Sequence, residues 1–472
     1  MKKIIFFQLV FSLLIAFKGE AQLSVSGGGQ SKSTGLVENE ESETTPQNSL
    51  LAPGDKKVFW VHGLRGSEQT WQASSTWYAA NYKMKEYRPH YVENNGIDVA
   101  AHQLGEVFSD LTANDPASSL ADNLAICHSQ GGVVVRGLDK RTGGDVNAMR
   151  FGAFVTASTP NMGAPIINSL KDGAHTRLLD DMYGEMTAGP AASMGFFLDI
   201  LGISFDQYKE KVVLALADMV GNSFVAPTTE DFYVGAPYIT NLNNTQSSTP
   251  RAHIVGIEED PVHWRVLSCY TMKSPSERPF NEVGDGLLMD KMNKVRQHYI
   301  DKSSHYNALY AVYTQRWQWI FGGATHLVAV ISDWDYKAKQ WQRGATSIDD
   351  FGDKWLRIIG AFGEQTRTFT LSPFACCEKN NCDERVCIRP AQRQSCVYNC
   401  SVTLPVTVKY DSDGVVPVPN QELPGSYKRF EARGANHAEV CNHPAAATAF
   451  EQIFSGTSVS GNNANRFKVA RR

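Results

Sequence analysis

One abrupt change of pattern constrains this chain more than any other feature. Leu124-Ala125-Ile126-Cys127 is an apolar run of strand character, and it breaks at His128-Ser129-Gln130-Gly131-Gly132. Val133-Val134-Val135-Arg136-Gly137-Leu138 then reads as a helix entering a core. A strand that turns straight into a helix leaves the residue at the bend exposed. The usual pattern there is G-x-S-x-G, in which small residues let strand and helix approach. Cys127 stands where the first Gly is usual. A serine hydroxyl is a poor nucleophile unless it is exposed and within reach of a base. Ser129 is therefore the candidate nucleophile. Cys127 is the lesser alternative, because its thiol should point into the sheet. The bland reading is a chance Ser in a Gly-rich turn.

The rest of the chain supplies a frame for this bend. Lys57-Val58-Phe59-Trp60-Val61 reads as a buried strand feeding a turn at His62-Gly63, and Ile97 to Ala101 as a second, weaker strand. Phe151 to Ala157, Ala252 to Ile257 and Lys428 to Ala432 are further strand candidates. Helical stretches between them predict an α/β fold, a mostly parallel sheet with helices on both faces. Residues 163–248 and 282–365 are expected to be helical insertions, rich in side chains such as Phe196, Phe197, Trp317 and Trp319.

Lys2-Lys3 followed by the apolar run Ile4 to Phe17 and the small residues around Gly19 and Ala21 predicts a cleaved signal peptide over 1–21. Export through it implies a secreted protein. Residues 22–54, rich in Gly, Ser, Thr and Glu, are expected to form a flexible leader, 55–455 the folded domain and 456–472 a flexible tail. The nine cysteines suit an oxidising destination. Six of them crowd the segment 376–400, which has no His and lacks zinc-site spacing, so a disulfide-pinned insertion is favoured. An odd total leaves a thiol free or paired to another chain, and Cys127 is the candidate for the free one. A formal net charge of −4 argues against nucleic acid as a partner.

Three segments together resemble α/β-hydrolases, in particular bacterial secreted lipases and esterases. His62-Gly63-Leu64 is similar to their His-Gly oxyanion loop, and Cys127 to Gly132 to their GHSQGG elbow. Thr159-Pro160-Asn161-Met162-Gly163 resembles their T-P-H-x-G segment, with Asn161 in place of the His. The resemblance implies an oxyanion hole from the backbone N–H groups of Leu64 and Gln130. It assigns His62 to shaping the loop.

The chain order in such a fold is Ser, acid, His. Gly434-Ala435-Asn436-His437 follows a strand near the end of the chain and resembles the surroundings of the base, so His437 is preferred over its neighbour His443. His128 should diverge from Ser129. Asp413, in Asp413-Gly414-Val415-Val416-Pro417, follows a strand-like segment and stands 24 residues before His437. Its rivals are Asp285, in Gly284-Asp285-Gly286, and Asp260. The bland reading of either Asp-Gly is a turn residue bonding its own backbone. No cofactor is expected, and no spaced run of calcium ligands is evident around Asp411, so no metal is assigned. The resemblance implies cleavage of acyl esters, of lipids above all, through an acyl-enzyme. The helical insertion after Pro165 would be a lid making transient contact with a lipid surface, or simply core helices. An amidase or acyltransferase with the same triad, or a non-catalytic binding protein on the same scaffold, are the alternatives.

Overall fold

The computed structural model describes residues 36–37, 56–64, 66–172, 227–259, 287–317, 325–370, 401–426, 428–456 and 464–472. The expected signal peptide, residues 376–400, Asp260 and Asp285 lie outside them.

In chain order the elements that frame the site are β1 (Leu36–Val37), β2 (Lys56–Val61), α1 (Gln72–Asn81), β3 (Met84–Pro89) and α2 (Ile97–Leu111). Then come β4 (Leu124–His128), α3 (Gln130–Thr142), β5 (Ala153–Ala157), α4 (Pro165–Lys171), α5 (Pro237–Asn244) and β6 (Arg251–Ile257). The remainder are α6 (Leu287–Trp317), α7 (Thr325–Ile358), β7 (Phe362–Thr370), β8 (Ser401–Lys409), β9 (Lys428–Arg433) and α8 (Pro444–Ser455).

The main sheet runs β1-β3-β2-β4-β5-β6-β9, and its pairs are parallel except for β1 with β3. Alternate side chains of each strand enter different layers, as the strand period requires. Phe59, Val61, Ala125 and Cys127 pack beneath α2 and α3 on one face. Val58, Trp60, Leu124 and Ile126 pack beneath α1 and α8 on the other. Central strands buried on both faces read as continuous apolar runs, which is why β2, β4 and β5 stand out in the sequence.

Three expectations are corrected. Ile97 to Ala101 is the start of helix α2, entered from Gly96 at φ 99°. Its buried residues Ile97, Ala100, Ala101, Leu104, Val107 and Phe108 recur at helical spacing, which a five-residue window does not reveal. The strand in that region is β3, whose sequence MKEYRP lacks an apolar run because it lies towards the sheet edge. The expected tail is in part tied down: Phe467 and Val469 are buried, Val469 N donates to Phe454 O at 2.8 Å, and Lys83 N donates to Ala470 O at 2.7 Å. Within the expected leader, Leu36–Val37 is the strand beside β3.

The region 282–365 contains α6 and α7, which pack together as a hairpin. Arg296 pairs with Asp349, and Tyr299 lies against Trp341 with ring centroids 5.3 Å apart. Its base is anchored in the core through Val295, Ile348 and Trp355. β7 and β8 form a separate antiparallel ribbon. Just beyond the end of β6, Glu258 N donates to Ser412 O at 2.7 Å, which ties the turn after β8 to this strand.

Candidate active site

β4 ends at His128 and α3 begins at Gln130, so Ser129 alone makes the turn. Its backbone is at φ 51° and ψ −126°, a conformation that costs a non-glycine residue about 1–3 kcal/mol. The surrounding contacts hold it there. Ser129 N donates to Ala157 O at 3.0 Å, and Gly132 N donates to Ser129 O at 3.1 Å. A side chain on Gly131 would collide with the His62 carbonyl oxygen, and one on Gly132 with the Thr159 side chain. Both glycines are therefore required by close approach. Cys127, at the usual first glycine, is fully buried and free, and burial raises its thiol well above the ordinary range. Kept protonated within the sheet, it is no nucleophile.

The structure brings the three preferred residues into one line. Ser129 Oγ donates to His437 Nε2 at 3.0 Å, and His437 Nδ1 donates to Asp413 Oδ2 at 2.8 Å. Asp413 is fully buried. Its other oxygen accepts from Val415 N at 2.9 Å and Val416 N at 2.6 Å, and its carbonyl accepts from His437 N at 2.8 Å. Trp355, at the base of the helical hairpin, donates Nε1 to Gly414 O at 2.7 Å and pins the same turn. His443 instead caps α8, its Nδ1 accepting from Ala445 N at 3.2 Å.

Two buried histidines flank this line. His128 donates Nε2 to the His437 carbonyl at 2.8 Å, so it holds the backbone of that residue. The sequence carried no signal for this contact, since the two residues are 309 positions apart. His62 stacks on Tyr91 with centroids 4.6 Å apart, and Tyr91 Oη donates to His62 O at 2.8 Å. His62 Nδ1 donates to Gly63 O at 2.9 Å, and Gly66 N donates to the same oxygen at 3.0 Å. With that carbonyl held on one side, the planar trans peptide aims the Leu64 N–H to the other. A side chain on Gly63 would come within 2.6 Å of Ser129 Cβ, so this loop lies directly beside the nucleophile candidate. Gln130 is the first residue of α3, and its N–H has no acceptor within the helix. The two backbone donors expected from the sequence thus belong to the two segments that meet at Ser129.

Burial holds both flanking imidazoles neutral, lowering His62 to about 4 and His128 to about 3. An unfolded histidine takes up its proton near 6.5. Between those values the unfolded chain binds more protons, so stability falls as pH drops below 6.5. At pH 5 each buried ring contributes a loss of about 2 kcal/mol. The urea midpoint should fall clearly from pH 7 to pH 5, and His128→Asn should remove about half of that fall. A flat profile would contradict the assignment of these rings as buried and neutral.

The order Ser129, Asp413, His437, placed around the ends of parallel strands with Ser129 at a strand-to-helix elbow, defines an α/β-hydrolase fold. No protein-family model matches the chain, and no curated protein matches it in sequence. Among solved structures, the mature form of lipase BlEst2 from Bacillus licheniformis is similar at 10% identity and TM-score 0.37, covering 86% of this chain and 94% of that one. Phospholipase PlaB from Legionella pneumophila is similar at 14% identity and TM-score 0.28, over 45% and 41% of the two chains. Aspergillus fumigatus lipase B is similar at 11% identity and TM-score 0.27, over 51% and 46%. At these scores the site's own geometry carries the reading.

Among the described residues no group of His, Cys, Asp and Glu could hold a metal ion, and no helix is long and apolar enough to cross a membrane.

Proposed function

We propose that this chain is an exported serine hydrolase that cleaves carboxylic esters, those of lipids in particular, through an acyl-enzyme. The observation that carries the reading is the continuous hydrogen-bonded line from Ser129 Oγ through His437 to Asp413, with Ser129 held at a strained elbow. Export rests on the Lys2-Lys3 and Ile4 to Phe17 pattern alone.

In this reading Ser129 Oγ attacks the ester carbonyl carbon while His437 Nε2 takes its proton. Asp413 holds the imidazole in the tautomer that can accept and stabilises its positive form. The charge that gathers on the former carbonyl oxygen is received by the N–H groups of Leu64 and Gln130, each worth about 3 kcal/mol in the transition state. His437 then protonates the departing alkoxide, and a water molecule activated by the same ring releases the acid. No cofactor enters these steps.

The test is a panel of esters of increasing acyl length, with an anilide of one of the same acyl groups. Turnover of long-chain emulsions is the expected result. Hydrolysis confined to short soluble esters would make the protein a soluble esterase, and faster cleavage of the anilide than of its ester would make it an amidase.

A further inference from the structure

We propose that Gln421 is a positioning residue, which sets the Asp413 turn against His437 through a buried amide network reaching back to the nucleophile helix. For its effect on turnover this rests on the hydrolase reading above.

The need for such a residue arises in the sheet. β5 leaves it after Ala157, and its last ladder bond to β6 is Ser158 N donating to Ile254 O at 3.0 Å. Ile257 O turns to the other side of β6, where it accepts from Gly434 N at 2.8 Å. The N–H and C=O of Gly256 therefore face the side that β5 has vacated. Gln421 takes the place of the missing strand. Its Oε1 accepts from Gly256 N at 2.9 Å, and its Nε2 donates to Gly256 O at 3.1 Å. The same Nε2 donates to Val416 O at 2.8 Å, and Val416 N is one of the two donors that orient the Asp413 carboxylate. A side chain on Gly256 would meet Asp413 Cβ at 2.9 Å, so the turn sits directly on this join.

The network continues. Gln421 O accepts from Asn161 Nδ2 at 2.7 Å. Arg136 Nη1 donates to Asn161 O at 3.0 Å and to its Oδ1 at 3.2 Å. Arg136 lies about two helical turns beyond Ser129 on α3. Gln421, Asn161, Arg136 and Asp413 are all buried. A buried polar chain in which each link satisfies the next holds one geometry, because breaking a link strands a desolvated group. Here the two ends of the chain are the helix that carries Ser129 and the turn that carries Asp413.

Gln421→Leu removes all three side-chain bonds. It should lower kcat by about tenfold to a hundredfold with KM unchanged, since placement and not binding is lost. The downfield proton resonance of the His437 Nδ1–H, recorded in a Ser129→Ala background so that turnover plays no part, should move upfield or broaden. Asn161→Asp keeps an oxygen for Arg136 but takes away the donor to Gln421, and it should shift the same readouts less. Only variants with the wild-type thermal transition are compared. If Gln421→Leu is unfolded, Asn161→Asp decides the outcome. A wild-type resonance in the folded variants would overturn the proposal. A shifted resonance in a protein that cleaves no acyl substrate would support the positioning role while removing the hydrolase reading.

Discussion

Ser129→Ala should lower turnover by about five to six orders of magnitude, the loss expected if Ser129 is the proposed nucleophile working as a unit with its base. Binding should be nearly untouched, because the hydroxyl supplies one bond, to His437 Nε2 at 3.0 Å. Labelling by a fluorophosphonate probe disappears with the hydroxyl. Persistent labelling in the variant would move the nucleophile elsewhere. The elbow adds an independent signature. Alanine keeps the strain of φ 51°, whereas Ser129→Gly relieves it. The glycine variant should be the more stable of the two by about 1 kcal/mol. Thermal unfolding of the two inactive proteins measures that difference without any substrate.

Asp413→Asn should cost about four orders of magnitude in kcat with the fold intact. The asparagine oxygen still accepts from Val415 N and Val416 N, where the carboxylate oxygen now lies at 2.9 and 2.6 Å. That leaves the amide NH2 facing His437 Nδ1. A donor there obliges Nδ1 to accept, the ring proton moves to Nε2, and His437 can no longer take the proton of Ser129. The same exchange at Asp285 should change kcat by about twofold or less. A larger loss at Asp285, with both variants folded, would reverse the assignment of the acid.

The contest between these aspartates shows how far the sequence reaches. The elbow was legible because its causes are local. An apolar strand, two glycines forced by close approach and an apolar helix lie within a few residues of Ser129. His437 was legible through its place after the last strand. Asp413 is preferred over Asp285 only through the strand-like segment before it, because an Asp-Gly turn is common and its partner is set by where the chain returns. β6 is followed by the long helical hairpin and the ribbon, and the acid turn comes back to the end of β6 through Glu258 N and Ser412 O. Sequence distance conceals that return. The start of helix α2 reads as a strand in the sequence for a different reason. Its first five residues, little more than one turn, carry too little period to separate a helix from a buried strand. β3 was missed because a strand near the sheet edge is not obliged to be apolar.

By itself, then, the sequence determined the α/β class, the central strands and the position of Ser129, all of which follow from the period of apolar residues and the steric needs of one tight turn. Only the tertiary structure brings Asp413 against His437, sets His128 on the His437 carbonyl, and lays Gln421 and Trp355 against the acid turn. These are contacts between residues far apart in the chain. Hydrogen bonding in a desolvated interior selects them, and it leaves no periodic trace along the backbone that sequence reading could follow.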